Sequence, residues 1–238
     1  MFESLTSNQF LTMQISEDNF DKLVKSHIER TSVIAANSSP LTAMFWDNRT
    51  AVSALYTQYS ESRGKKALNL SQKEGKTINV NQIVKNIKVF VSLKEGIIKN
   101  KFFKGTAEYE EFYPLGVKEY AKASKKNIGN LFKRFIDSLN VHKMDLDSGI
   151  LSEALPLYDS LMQAMSAQMN QVGNVKDITS STKELRRQLA VQLYKNMLLL
   201  LLMNADNPQK VKDYFDESFI KHASKKAQVV EQAASKVQ

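Results

Sequence analysis

Apolar residues recur at three- and four-residue intervals along most of this chain, and no segment alternates in steps of two. That period lines one face of an α-helix, so the chain is read as helical throughout. Ser16 is suited to cap a first helix, with Glu17 and Asp18 in the first turn where the helix dipole favours acids. The stripe Phe20, Leu23, Val24, Ile28 and Ile34 carries that helix to about Ala36. The break "NSSP" follows, and Pro40 can open a second helix because the N–H it lacks would be unpaired there anyway. Leu41, Met44, Phe45, Val52, Leu55, Tyr56 and Tyr59 predict its extent, with a stop near Gly64. "SRGKKALNLSQKEGKT" has two glycines and no sustained period, so a loop or irregular insertion is expected there.

Val80, Ile83, Val84, Ile87, Phe90, Val91, Ile97 and Ile98 predict a third helix of roughly 25 residues, with Gly105 placed to cap its end. Thr106 and the run Tyr109–Phe112 predict a short helix that stops before Pro114. Ile128, Leu131, Phe132, Phe135, Ile136 and Leu139 form the cleanest pattern of all. "VHKMDLDSG" reads as a loop, and Leu155, Tyr158, Leu161, Met162, Met165 and Met169 predict a helix that begins near Pro156 and closes at Gly173. Ser181 and Glu184 in "STKE" have capping-box spacing ahead of Leu185, Leu189, Leu193, Met197, Leu200 and Leu201. The run Met197–Met203 is apolar on every side, which places that helix at the centre of the bundle. Pro208 opens a last helix with Val211, Tyr214, Phe215 and Phe219, and a polar tail follows.

The expected fold is therefore an all-α bundle of seven to nine helices, arranged as two tandem four-helix units or one merged bundle. The halves share an order of elements: "SPLTAMFWDNRTAVSALYTQ" parallels "LPLYDSLMQAMSAQMNQVG", and "GTAEYEEFYPLG" parallels "NPQKVKDYFDESF". On that reading an N-terminal unit spans 1–120, a C-terminal unit 121–224 and the tail 225–238. The aromatic, acidic stretch "FFKGTAEYEEFYPLGVKEY" becomes a joint between the units. Tyr109, Phe112, Tyr113 and Leu115 are expected to be buried, and Pro114 and Gly116 to turn the chain. The alternative is an aromatic, acidic pocket rim.

Composition changes the picture little. Of 238 residues, 42% are hydrophobic and 24% charged, as in ordinary globular chains, and the scarcity of glycine (8) and proline (4) argues against a turn-rich β fold. With no cysteine, disulfides, thiolate metal sites and cysteine nucleophiles are excluded. No basic segment followed by an apolar run opens the sequence, and the longest apolar run has seven residues where a membrane span needs about twenty. A soluble, cytoplasmic protein is expected.

Charge adds one candidate surface. The net charge of +8 arises in the middle: residues 61–104 carry 11 basic and 3 acidic groups, 118–134 carry 6 and 1, and the intervening 105–117 carry none and 3. Segment 61–134 could bind a polyanion such as nucleic acid, through Lys65, Lys66, Lys73, Lys76, Lys85, Lys88, Lys99 and Lys101. The competing reading is a solvated helical face.

Reactive constellations are missing from the sequence. His27, His142 and His222 stand apart, without the Glu-x-x-His spacing that di-metal bundles use. "DLDSG" at Asp145–Gly149 faintly resembles a calcium loop, but Pro156 stands where the bidentate glutamate belongs, so it reads as a helix-capping turn. There is no phosphate-binding glycine loop and no nucleophile elbow. Asp213 and Glu217, one turn apart, read as a solvated acidic face. No catalytic residue, cofactor or metal is assigned. The expected function is that of a non-enzymatic helical scaffold or interaction protein, whose partner is another protein or a further copy of itself.

Overall fold

The computed structural model describes residues 7–36, 39–216 and 218–219, and every regular element among them is helical. The elements are α1 (Gln9–Thr12), α2 (Glu17–Arg30), α3 (Pro40–Phe102), α4 (Ala107–Phe112), α5 (Lys118–Lys122), α6 (Lys125–Val141) and α7 (Ser148–Met203), with 3-10 turns at Thr31–Val33 and Pro208–Tyr214. Ser16 caps α2 as expected, accepting from the Asn19 N–H, and Thr106 caps α4 by accepting from Tyr109.

Two helices are far longer than the periodicity suggests: α3 has 63 residues and α7 has 56. The segment expected to be a loop, "SRGKKALNLSQKEGKT", lies wholly inside α3. Two glycines cost about 1 kcal/mol each against alanine, but the rest are mostly good helix formers and none is proline. What hid the helix is that its inward positions are polar. Ser62 shares a 2.7 Å hydrogen bond with Thr182, Gln171 donates to the carbonyl and side-chain oxygens of Asn69 at 3.1 and 2.9 Å, and Gln168 donates to Thr77 at 2.8 Å. Hydrophobic periodicity is silent along such a seam.

Three expectations in α7 are corrected as well. The helix does not close at Gly173. "STKE" caps nothing, since Thr182 is buried at the seam and Glu184 instead holds Arg187 at 2.7 and 2.9 Å. Pro156 opens nothing either, for α7 starts at Ser148, where the Asp147 carboxylate accepts the Gly149 N–H at 2.9 Å. An internal proline costs about 3 kcal/mol, but burial of Ile150 and Ala154 before it and Leu161 after it holds the helix on both sides. "DLDSG" is thus the capping turn that its sequence suggests.

The chain divides into two units, each with its own core. One combines residues up to Lys66 with those from Ile178 onward, and the other is Ala67–Asp177. The expected boundary at 120 falls inside the second unit, and the tail from 225 lies outside the described residues. In the first unit α1 and α2 pack Phe10, Phe20, Leu23 and Val24 against Phe45, Val52 and Tyr59 of α3 and Leu189, Leu193 and Leu200 of α7. Arg63 bridges from α3 to Asp18 and Asp21 of α2, the latter at 3.0 Å, and Lys66 reaches Glu17 at 2.7 Å.

The second unit is built on aromatic rings. Phe135 contacts Phe90, Phe112, Tyr113, Tyr120 and Phe132, with centroids 5.5–6.3 Å apart. Each buried tyrosine of the aromatic-acidic stretch finds an acceptor: Glu95 for Tyr109, the Val91 carbonyl for Tyr113 and the Phe112 carbonyl for Tyr120. Such pairing is what makes a buried phenol tolerable. Tyr109, Phe112 and Tyr113 are buried as a joint requires, but Leu115 is 78% exposed because it sits in the turn itself, beside Gly116 at φ 72°. Phe103, at φ 58°, and Gly105, at φ 93°, take the chain out of α3 in left-handed conformations.

Candidate interaction surface

In the first unit α3 and α7 run antiparallel, and a buried polar network sets their level. Asn48 Nδ2 donates to Asn196 Oδ1 at 2.5 Å and to the Gln192 carbonyl at 3.1 Å. Asn196 Nδ2 lies 2.9 Å from His27 Nε2, and His27 Nδ1 lies 3.0 Å from the Tyr214 carbonyl. A carbonyl only accepts, so the proton belongs on Nδ1, and Nε2 receives the Asn196 amide. The imidazole also stacks on Phe215 at 4.3 Å. Burial, reinforced by the charge of Arg49, lowers the His27 pKa to about 4, against the opposing effect of the Tyr214 hydrogen bond. Arg49 bonds Thr31 and the Ile28 carbonyl and lies over the Trp46 ring. His27 is therefore a neutral structural joint between α2, α7 and the Pro208–Tyr214 turn.

Above this network lies an open groove of about 620 Å³ between the two helices. Met44, Asp47 and Ala51 form the α3 wall, at spacings of three and four that place them on one face; Lys195, Leu198 and Leu199 form the α7 wall in the same way. The run Met197–Met203 explains its apolar character. Met197 and Leu200 are buried in the core, Leu198 and Leu199 are only half-buried, and Leu202 is 60% exposed. The run was expected to be surrounded on all sides, but the described residues of the first unit pack against one side of α7 and leave its other apolar side uncovered. Met44, across the groove, is 57% exposed. Between the walls Gln192 Oε1 is buried with no donor among the described residues, an unusual state for a buried acceptor.

Asp47 and Lys195 are the charged members of the groove. Both are exposed, and neither has an ion-pair partner among the described residues.

The lysines singled out from sequence are divided between the two units. Lys65 and Lys66 belong to the first unit and the other six to the second. On α3, at 100° per residue, Lys85, Lys88 and Lys99 share one side, whereas Lys73, Lys76 and Lys101 fall on another. Lys66 is held by Glu17, Lys88 donates to the carbonyls of Ala121 and Ala123 at 3.0 and 2.8 Å, and Lys101 lies 3.6 Å from Asp145.

The remaining chemistry is structural in placement. His142 meets Glu111 at 2.8 Å and packs on Phe102 and Phe112, joining α4 to the end of α6. His222 and Glu217 lie outside the described residues. Among the described residues no group of three or more histidines and carboxylates could hold a metal ion, and no helix is long and apolar enough to cross a membrane. No family model, curated protein or solved structure matches the chain.

Sequence reasoning passed over Asp47 and Lys195, which are unremarkable in composition and spacing. The signal that was present is the seven-residue apolar run, which has more apolar sides than the core of one unit can cover.

Proposed function

We propose that the protein is a non-enzymatic helical interaction protein that binds a polypeptide partner through the groove between α3 and α7 of the first unit. The observation that carries this reading is Met44, a large apolar side chain left more than half exposed, facing the half-buried Leu198 and Leu199 in one concave surface. Contiguous apolar surface rimmed by charge is typical of protein–protein contact, whereas single exposed apolar residues are ordinary. The network of His27, Asn48 and Asn196 beneath gives the groove a rigid floor, which limits the ordering cost of association.

A photo-crosslinking residue at Met44 tests this in the cell of origin. Adducts to a defined polypeptide, identified by mass and absent from a control at Thr57 on an exposed part of α3, are the expected result. Adducts no more frequent at Met44 than at Thr57 would remove the reading.

A further inference from the structure

We infer that the occupant of this groove is a second copy of the same chain, docked about a two-fold axis that runs along the groove. The inference rests on the reading of the groove as an interaction surface and names its partner.

Asn48 and Asn196 are in direct contact, so in these antiparallel helices Asp47 and Lys195 stand on opposite walls within two residue rises, about 3 Å, of one height. A two-fold axis parallel to the helices keeps height and exchanges walls: α3 of one copy lies over α7 of the other. Asp47 of each copy then faces Lys195 of its mate, twice, and Met44 faces Leu198 and Leu199. In an isologous contact a residue meets its partner's complement by symmetry, so one acid and one base at nearly one height, within reach of a lysine side chain, suffice to make the surface self-complementary. A two-fold axis across the helices at this level would instead lay α3 over α3 and set Asp47 against Asp47, and like charges in juxtaposition are strongly disfavoured. The charges thus select one of the two face-to-face arrangements, a four-helix layer with an apolar seam.

Sedimentation of the full chain over a roughly hundredfold concentration range tests it, because mass action makes a dimer concentration-dependent. The wild type is expected to pass from monomer to dimer. Asp47→Lys and Lys195→Asp each place like charges face to face twice, and each should weaken the dimer by about tenfold or more. The double variant Asp47→Lys/Lys195→Asp restores opposite charges and should return to within about threefold of wild type, a recovery that mere surface damage would not give. Leu198→Glu should be monomeric. All the variants should keep the helical circular dichroism of the wild type. A wild type that stays monomeric throughout, or a double variant no better than the single ones, overturns the inference. If a monomeric wild type still crosslinks through Met44 to a different polypeptide, the interaction reading survives and the dimer alone falls.

Discussion

Lowering the pH should loosen the first unit through His27 by an amount that can be worked out in advance. The imidazole is fully buried, neutral, and bonded on both nitrogens, with its pKa lowered to about 4 from 6.5. Because the folded state resists protonation, its contribution is complete above the unfolded pKa of 6.5. It is lost as the pH falls towards 4, where the unfolded chain takes up a proton that the folded chain refuses. The slope approaches 1.4 kcal/mol per pH unit within that window. Integrated from about pH 7.5 to about pH 5, the loss is about 2 kcal/mol. Urea unfolding followed by fluorescence reads this directly, because Trp46, the single tryptophan, belongs to the same unit and lies against Arg49. Carboxylates titrate over part of the same range, so the informative quantity is the wild-type stability minus that of His27→Gln, which removes the titrating group. That difference should shrink by about 2 kcal/mol over the interval. If it stays constant with pH, the histidine is not held neutral by burial and the account of the network is wrong.

Other perturbations probe the remaining packing. Thr182→Val leaves the buried Ser62 hydroxyl without its partner and should cost about 1–2 kcal/mol in urea unfolding, and adding Ser62→Ala should recover part of that loss. Phe135→Ala, at the centre of the second unit's rings, should cost about 3–5 kcal/mol, seen as a lower thermal midpoint by circular dichroism. Phe103→Gly should stabilise by up to about 1 kcal/mol, since the side chain is exposed and its backbone left-handed; a loss of stability would show that the ring contributes more than its conformation costs. Gly129→Leu should destabilise by about 1–3 kcal/mol, because even a Cβ at this position meets Met162 Cε at 3.2 Å.

Where the helices bury hydrocarbon, the sequence declares them. The stripes of α2 and α6, the caps at Ser16 and Thr106 and the turn at Asp147 are all legible, because capping and apolar burial leave local signatures. The passage of α3 through residues 62–77 is not legible. Ser62, Asn69 and Thr77 face Thr182, Gln171 and Gln168, and a polar residue that satisfies another polar residue across a seam looks from sequence like one facing water. Pro156 misled for a related reason: its local preference for a helix start is outweighed by the core on either side of it, a tertiary effect. The lysines of 61–134 show the limit of counting charge, since angular position along α3 decides whether they share a surface. The groove was half visible, in a run of leucines whose surplus over what the core can hold emerges only once that core is known.

The first unit's division between the two ends of the chain has a consequence for how the protein is made. Phe20, Leu23, Phe45 and Val52 leave the ribosome early, yet the leucines that cover them, Leu189, Leu193 and Leu200, are encoded beyond the whole of the second unit. At about 5–20 residues added per second, the early half waits several seconds or more with its greasy face bare. Ala67–Asp177 can meanwhile close on contacts that are all already synthesised. Nascent chains stalled once residue 177 has just cleared the ribosomal exit tunnel are therefore expected to resist protease in the second unit and to be cut readily in residues 7–66. Equal resistance in both would show that the early half shelters itself. The order of assembly thus runs against the order of the genetic message: the middle of the chain sets first, and its beginning is the last part to find shelter.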